Sequence, residues 1–109
     1  MIHMLSCFDL KPGITPDDYR RALDVFVAHM RGLDLLESNS PVGRRQRDTI
    51  LDTDDERDHA YFMTTSFRDW AQANAAIDYI KTHAEPGHSI HLDVYDKVQN
   101  QTFICWEDS

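Results

Sequence analysis

Cysteine is nearly absent: two residues in 109, at positions 7 and 105. They match no CxxC or zinc-ligand spacing and are too few for a disulfide framework, so two reduced, mostly buried thiols are expected, packing as small hydrophobes. Positive charge is also scarce. Eleven Lys and Arg residues stand against nineteen Asp and Glu, a formal charge of -8, whereas a phosphate backbone or an anionic membrane demands a cationic footprint. Nucleic acid and membranes are therefore not expected as partners. Long apolar runs are missing as well: no stretch approaches the roughly 18 residues of a membrane span, and MIHMLSCFDLK carries no basic region ahead of an apolar run. These absences point to a soluble cytoplasmic protein.

What is present is 41% hydrophobic residues, enough for one compact domain over residues 1–109. IHMLSCF, residues 2–8, is short, apolar and β-tolerant, and stops before the turn signal KPG. In TPDDYRRALDVFVAHMRGLDLLE, Thr15 suits a cap, Pro16 the first helical position, and Asp17 and Asp18 the positive end of the helix dipole. Tyr19, Leu23, Phe26, Val27, Met30 and Leu33 follow at helical spacing. RRQRDTILDT, residues 44–53, reads as a polar edge strand, with Arg45, Arg47 and Thr49 on one side. The charged TDDERD leads into HAYFMTTSF, rich in β-formers. Ser66, with Asp69 three residues on, resembles a capping box for a helix buried through Trp70, Ala73, Ile77 and Ile80 and ended by EPG. HSIHLDVY, residues 88–95, alternates apolar and polar residues as a fourth strand would, and residues 99–109 remain as an apolar tail packed on the domain or on a partner.

The order β-α-β-β-α-β predicts an α+β, ferredoxin-like domain: a four-stranded antiparallel sheet with both helices on one face. The opposite, partly apolar face then needs a cover, at about 25 cal/mol per Å² of apolar surface removed from water. A second copy is the simplest cover, since twofold pairs are the commonest oligomers.

In this order, and in the phrases IHMLSCF, FMTTSFRDWAQA and THAEPGHS, the chain resembles the dimeric α/β-barrel superfamily from Ile2 to about Val98. That resemblance implies a homodimer with the sheets pressed together and the helices outside. The superfamily includes antibiotic-biosynthesis-type and haem-degrading monooxygenases, lactone isomerases and stress-responsive barrel proteins. In the monooxygenase-like members a histidine near the end of the second helix lies close to the pocket, and His83 is the similar position here. Cofactor-free members tend to carry an asparagine on the first strand, where this chain has His3, Ser6 and Cys7.

From the residues themselves, strand alternation groups His91, Asp93 and Tyr95 on one face, His59, Tyr61, Met63 and Thr65 on another strand, and His3, Leu5 and Cys7 on the first. If these sets share a face, imidazoles, phenols and a carboxylate meet in one cavity, an arrangement suited to acid-base work near neutral pH; otherwise they form a solvated face or a dimer seam. His83, His91 and Tyr61 are the proton-transfer candidates, with Asp93 in support. Arg45 and Arg47 are candidates to hold a substrate carboxylate, or to pair with the many acidic residues. Phe26, Trp70, His59 and Tyr95 are candidates to wall a pocket. No cofactor or metal is expected: His88 falls on the opposite strand face from His91, and no HxxxH spacing occurs. The sequence reading is thus a small-molecule-binding homodimer of unassigned role, or alternatively a cofactor-independent monooxygenase or isomerase acting on a small aromatic or carboxylated compound.

Overall fold

The computed structural model describes all 109 residues. The chain runs β1 (Ile2–Leu10), α1 (Pro16–Gly32), β2 (Ser38–Asn39), β3 (Gly43–Arg44), β4 (Tyr61–Phe67), α2 (Trp70–Lys81), α3 (Gly87–Tyr95) and β5 (Val98–Glu107). Its antiparallel sheet has the order β2-β4-β1-β5, with β3 also pairing with β4. This is the ferredoxin-like arrangement, with a third helix added. No helix is long and apolar enough to cross a membrane.

Strand alternation assigns the two sheet faces. Phe8 joins Tyr19, Ala22 and Leu23 of α1 and Val94 of α3 in the main core cluster, against which Tyr61 and Met63 of β4 also pack. A second cluster of Met30, Leu36 and Ala76 takes in Phe67. Ile2, Met4, Ser6 and Phe8 thus share the helix side, while His3, Leu5 and Cys7 share the opposite face with their cross-strand neighbours Ser66, Thr64 and Phe62 and Trp106, Ile104 and Thr102.

α1 forms where the sequence predicts it. The Thr15 hydroxyl accepts from the Asp18 amide at 3.1 Å, and the Asp18 carboxylate accepts from the Thr15 amide at 3.2 Å, a reciprocal box that satisfies two orphan donors of the first turn. Its buried residues are Tyr19, Ala22, Leu23 and Met30, with Leu33 left exposed beyond the last turn.

Five expectations need correction. Residues 88–95 are not a strand: HSIHLDVY is the body of α3. Ile90 and Val94, and His91 and Tyr95, are spaced i to i+4 and satisfy a helix as well as alternation does, so period alone does not decide so short a segment. The apolar tail is instead β5, paired with β1 from Ile2↔Glu107 to Leu10↔Val98; the β-forming Phe103, Ile104 and Trp106 find their partner in the sheet. The second strand shrinks to the two-residue β2 and β3, and RRQRDTILDT is mostly loop. Ser66 lies in β4, and Asp69 caps α2 by accepting from the Gln72 amide at 2.8 Å. The face α2 buries also differs from the expected stripe: Gln72, Ala73 and Ala76 are buried while Trp70 and Ile77 are exposed. Cys7 is a buried free thiol as expected, but Cys105 is exposed.

The loop between β3 and β4 is pinned from inside. The Arg45 side chain holds Asp52 bidentately, Nε to Oδ2 at 2.7 Å and Nη2 to Oδ1 at 2.9 Å, and also donates to the carbonyls of Asp54 and Arg57. Its guanidinium lies 5.9 Å from the centre of the Phe62 ring, which places the loop over the helix-free face.

Candidate functional site

The predicted proton-transfer residues do not converge. Tyr61 lines an open groove at the start of α1. Asp93 faces away from His91, because two residues along a helix rotate a side chain to the far side; its carboxylate bonds Lys97 Nζ at 2.6 Å. His83 is exposed at the end of α2 with a left-handed backbone, φ 57°, and its ring lies 4.6 Å from that of His88. His91 packs between Phe26 and Tyr95, at ring distances of 5.6 and 5.8 Å, so these three expected site residues do meet. Burial, and then the neighbouring His88, lower the His91 pKa below its usual 6.5, which keeps it neutral and able to accept a proton at pH 7.

The expected carboxylate-holding arginines are spent on structure. Arg45 clamps Asp52, and Arg47 donates to Asp58 at 2.5 Å and to the Arg57 carbonyl at 3.2 Å. His59 Nε2 meets the Asn100 carbonyl at 2.6 Å and ties the loop to β5. Trp70 projects into solvent from α2.

Two arrangements take their place. The first is the groove itself, about 270 Å³ and lined by Thr15, Pro16, Asp17, Arg20, Val42, Arg44 and Tyr61. Arg20 is paired with Asp17 at 3.0 Å, whereas Arg44, on β3, makes no side-chain bond to any carboxylate. Val42, Pro16 and the Tyr61 ring supply an apolar floor beside two guanidinium groups, the composition that suits a flat organic anion. Sequence reading finds Tyr61 but selects other arginines of GRRQRD, because it treats residues 44–53 as one regular strand.

The second lies where the three helices meet. His29 Nε2 and the Tyr79 hydroxyl are 2.8 Å apart, and the Tyr79 ring rests on the buried Gly87 at the start of α3. A Cβ at Gly87 would overlap the phenol oxygen and lie 2.5 and 2.6 Å from two ring carbons. Neither Tyr79 nor Gly87 stands out in the sequence; a glycine directly after Glu85–Pro86 reads as a turn, not as a contact surface.

On the helix-free face, His3 Nδ1 meets Ser66 Oγ at 2.7 Å and His3 Nε2 meets Asp108 Oδ1 at 2.9 Å. The order serine, histidine, aspartate is that of an acyl-transfer triad, but Ser66 is buried near the end of β4, with both flanks engaged by β1 and β2. Here the trio fastens the C-terminal residues across the sheet.

The ferredoxin-like fold is shared with three solved structures. The Arabidopsis thaliana protein At3g17210 superposes with a TM-score of 0.74 at 6% identity, over 100% of this chain and 96% of its own. A single-site mutant of SnoaB, a cofactor-independent oxygenase from Streptomyces nogalater, gives 0.67 at 7% identity over 98% of this chain and 91% of its own. A dimeric ferredoxin-like protein of unknown function from Jannaschia gives 0.65 at 13% identity over 98% of both chains. No family model and no curated protein matches the sequence.

Proposed function

We propose that the protein is a homodimer that binds a small organic anion, a carboxylate on an aromatic or similarly flat body, in the groove at the start of α1. Arg44 faces the carboxylate, and Tyr61, Val42 and Pro16 face the ring. The observation that carries this reading is the free guanidinium of Arg44 beside an apolar floor, in a chain whose other groove-lining arginine already has a carboxylate partner. The dimer is supported by the uncovered sheet face and by neighbours of the same fold that are dimeric proteins.

A thermal melt against benzoate and other small aromatic acids tests the groove, since binding to the native state raises its melting temperature. The expected result is a saturable upward shift, abolished in Arg44→Ala and retained in Arg31→Ala, a control at the far end of α1. No shift with any aromatic acid, or an equal shift in Arg44→Ala, counts against the groove.

The His29–Tyr79 contact favours a second reading, a cofactor-independent oxygenase or isomerase. An imidazole bonded to a phenol can pass a proton between them, and SnoaB is a cofactor-independent oxygenase on this fold. The roles expected of His83, His91 and Asp93 would then fall to His29 and Tyr79.

A further inference from the structure

The loop over the helix-free face has an unusual tip. Ile50 is 93% exposed and Leu51 91%, although the turn that carries them is well ordered by its own bonds. The Asp52 amide donates to the Thr49 carbonyl and the Leu51 amide to the Thr49 hydroxyl, both at 3.2 Å. Asp52, at the base of the turn, is the residue that Arg45 clamps. A mobile surface loop gains nothing from holding two aliphatic side chains in water. A rigid one with an apolar tip has the character of a contact element.

The same loop divides the helix-free face in two. Over Cys7 and Phe62 the loop supplies cover: Arg45 lies on Phe62, His59 reaches Asn100 and the exposed Thr102, and Cys7 is fully buried. The other half, Leu5, Thr64, Ile104 and Trp106, has no such cover, and Ile104 and Trp106 remain 39% and 43% exposed. The face therefore has a thick end and a thin end, separated along the strands, and at the thin end Leu5, Ile104 and Trp106 lie next to the His3–Ser66–Asp108 trio. A twofold axis lying between two such faces and perpendicular to the strands sets the thick end of each on the thin end of the other. That is the self-complementarity an isologous contact requires.

We propose that the Thr49–Asp52 turn is a docking arm, whose Ile50 and Leu51 seat on the Leu5, Ile104 and Trp106 half of the sheet face in a second copy of this chain. The proposal rests on the homodimer reading above and specifies how the two copies engage. Two aliphatic anchors set into an aromatic and aliphatic patch are the central, desolvated kind of contact that dominates interface energy.

The test compares the wild type with I50E/L51E by light scattering over a dilution series, with far-UV circular dichroism confirming that both are folded. The arm predicts a wild-type dimer whose dissociation constant rises about 100-fold or more in the variant. A wild-type dimer matched in affinity by I50E/L51E overturns the arm and leaves the homodimer standing; a monomeric wild type removes both. Trp106 provides a second readout in a W70F background, where it is the sole tryptophan. Its emission is expected at shorter wavelength in the dimer and to move to longer wavelength when I50E/L51E is introduced. Emission that ignores the loop substitutions overturns the placement of the arm.

Discussion

Gly87→Ala is expected to destabilise the protein by about 1–3 kcal/mol, the usual cost of forcing extra volume into a packed site. The added methyl group has no room, because Tyr79 already occupies its position, and Tyr79 is held there by His29 of α1. The junction has little freedom to yield: α3 cannot move outward without withdrawing Val94 from the main core cluster, nor can Tyr79 swing aside without breaking its bond to His29. Chemical denaturation measures the loss, and a double-mutant cycle assigns it. In a Tyr79→Ala background, Gly87→Ala is expected to cost little, because the obstruction is gone. An equal cost in both backgrounds would show that the glycine is needed for some reason other than this contact. The outcome also bears on the second functional reading, since a displaced Tyr79 leaves His29 without its phenol.

The second large effect is expected at Phe8. The side chain is 2% exposed, and its ring lies 4.9 Å from that of Tyr19 and 5.9 Å from that of Tyr61. Truncation of a phenylalanine so enclosed costs about 3–5 kcal/mol, the transfer term plus the cavity left behind. At roughly 4 °C per kcal/mol for a domain of this size, Phe8→Ala should melt lower by on the order of 12 °C or more. The effect extends beyond stability, because Tyr61 reaches from this core into the groove. With Phe8 absent, Tyr61 loses its packing partner, and the shift caused by aromatic acids should shrink in the fraction that remains folded. Phe8→Leu, which keeps most of the volume, is expected to retain both properties in large part. A Phe8→Ala protein that melts within a few degrees of the wild type would contradict the packing of β1 against α1.

The parts of the fold legible in sequence are those where several signals coincide. Thr15, Pro16, Asp17 and Asp18 together mark one helix start, so the beginning of α1 is predictable to the residue, whereas its end at Gly32, ahead of an exposed Leu33, is not. β1 and β4 carry continuous β-forming runs ending at turn residues. The segment after Pro86 offers only one signal, alternation, and alternation over eight residues is also met by side chains four apart on a helix. With HSIHLDVY read as the last strand, VQNQTFICWE has no place in the sheet and becomes a tail, although its composition is that of a strand throughout. The site suffers from the same error. His91, Asp93 and Tyr95 point one way only on a strand, and on α3 they separate. The arginines of GRRQRD escape sequence reading because composition cannot reveal that Arg45 turns inward to Asp52 while Arg44 stays free. That distinction depends on a loop folding back over the sheet, a contact made across the fold.

The claim on which the functional reading most depends is that the helix-free sheet face is covered by a second copy. Sedimentation velocity of the wild type at about 10 μM, above the dissociation range of a stable interface of standard size, tests it without any substitution. The predicted result is one species of twice the chain mass, which dissociates on dilution without unfolding. A single species with the mass of one chain, persisting at tens of micromolar and above, would contradict it.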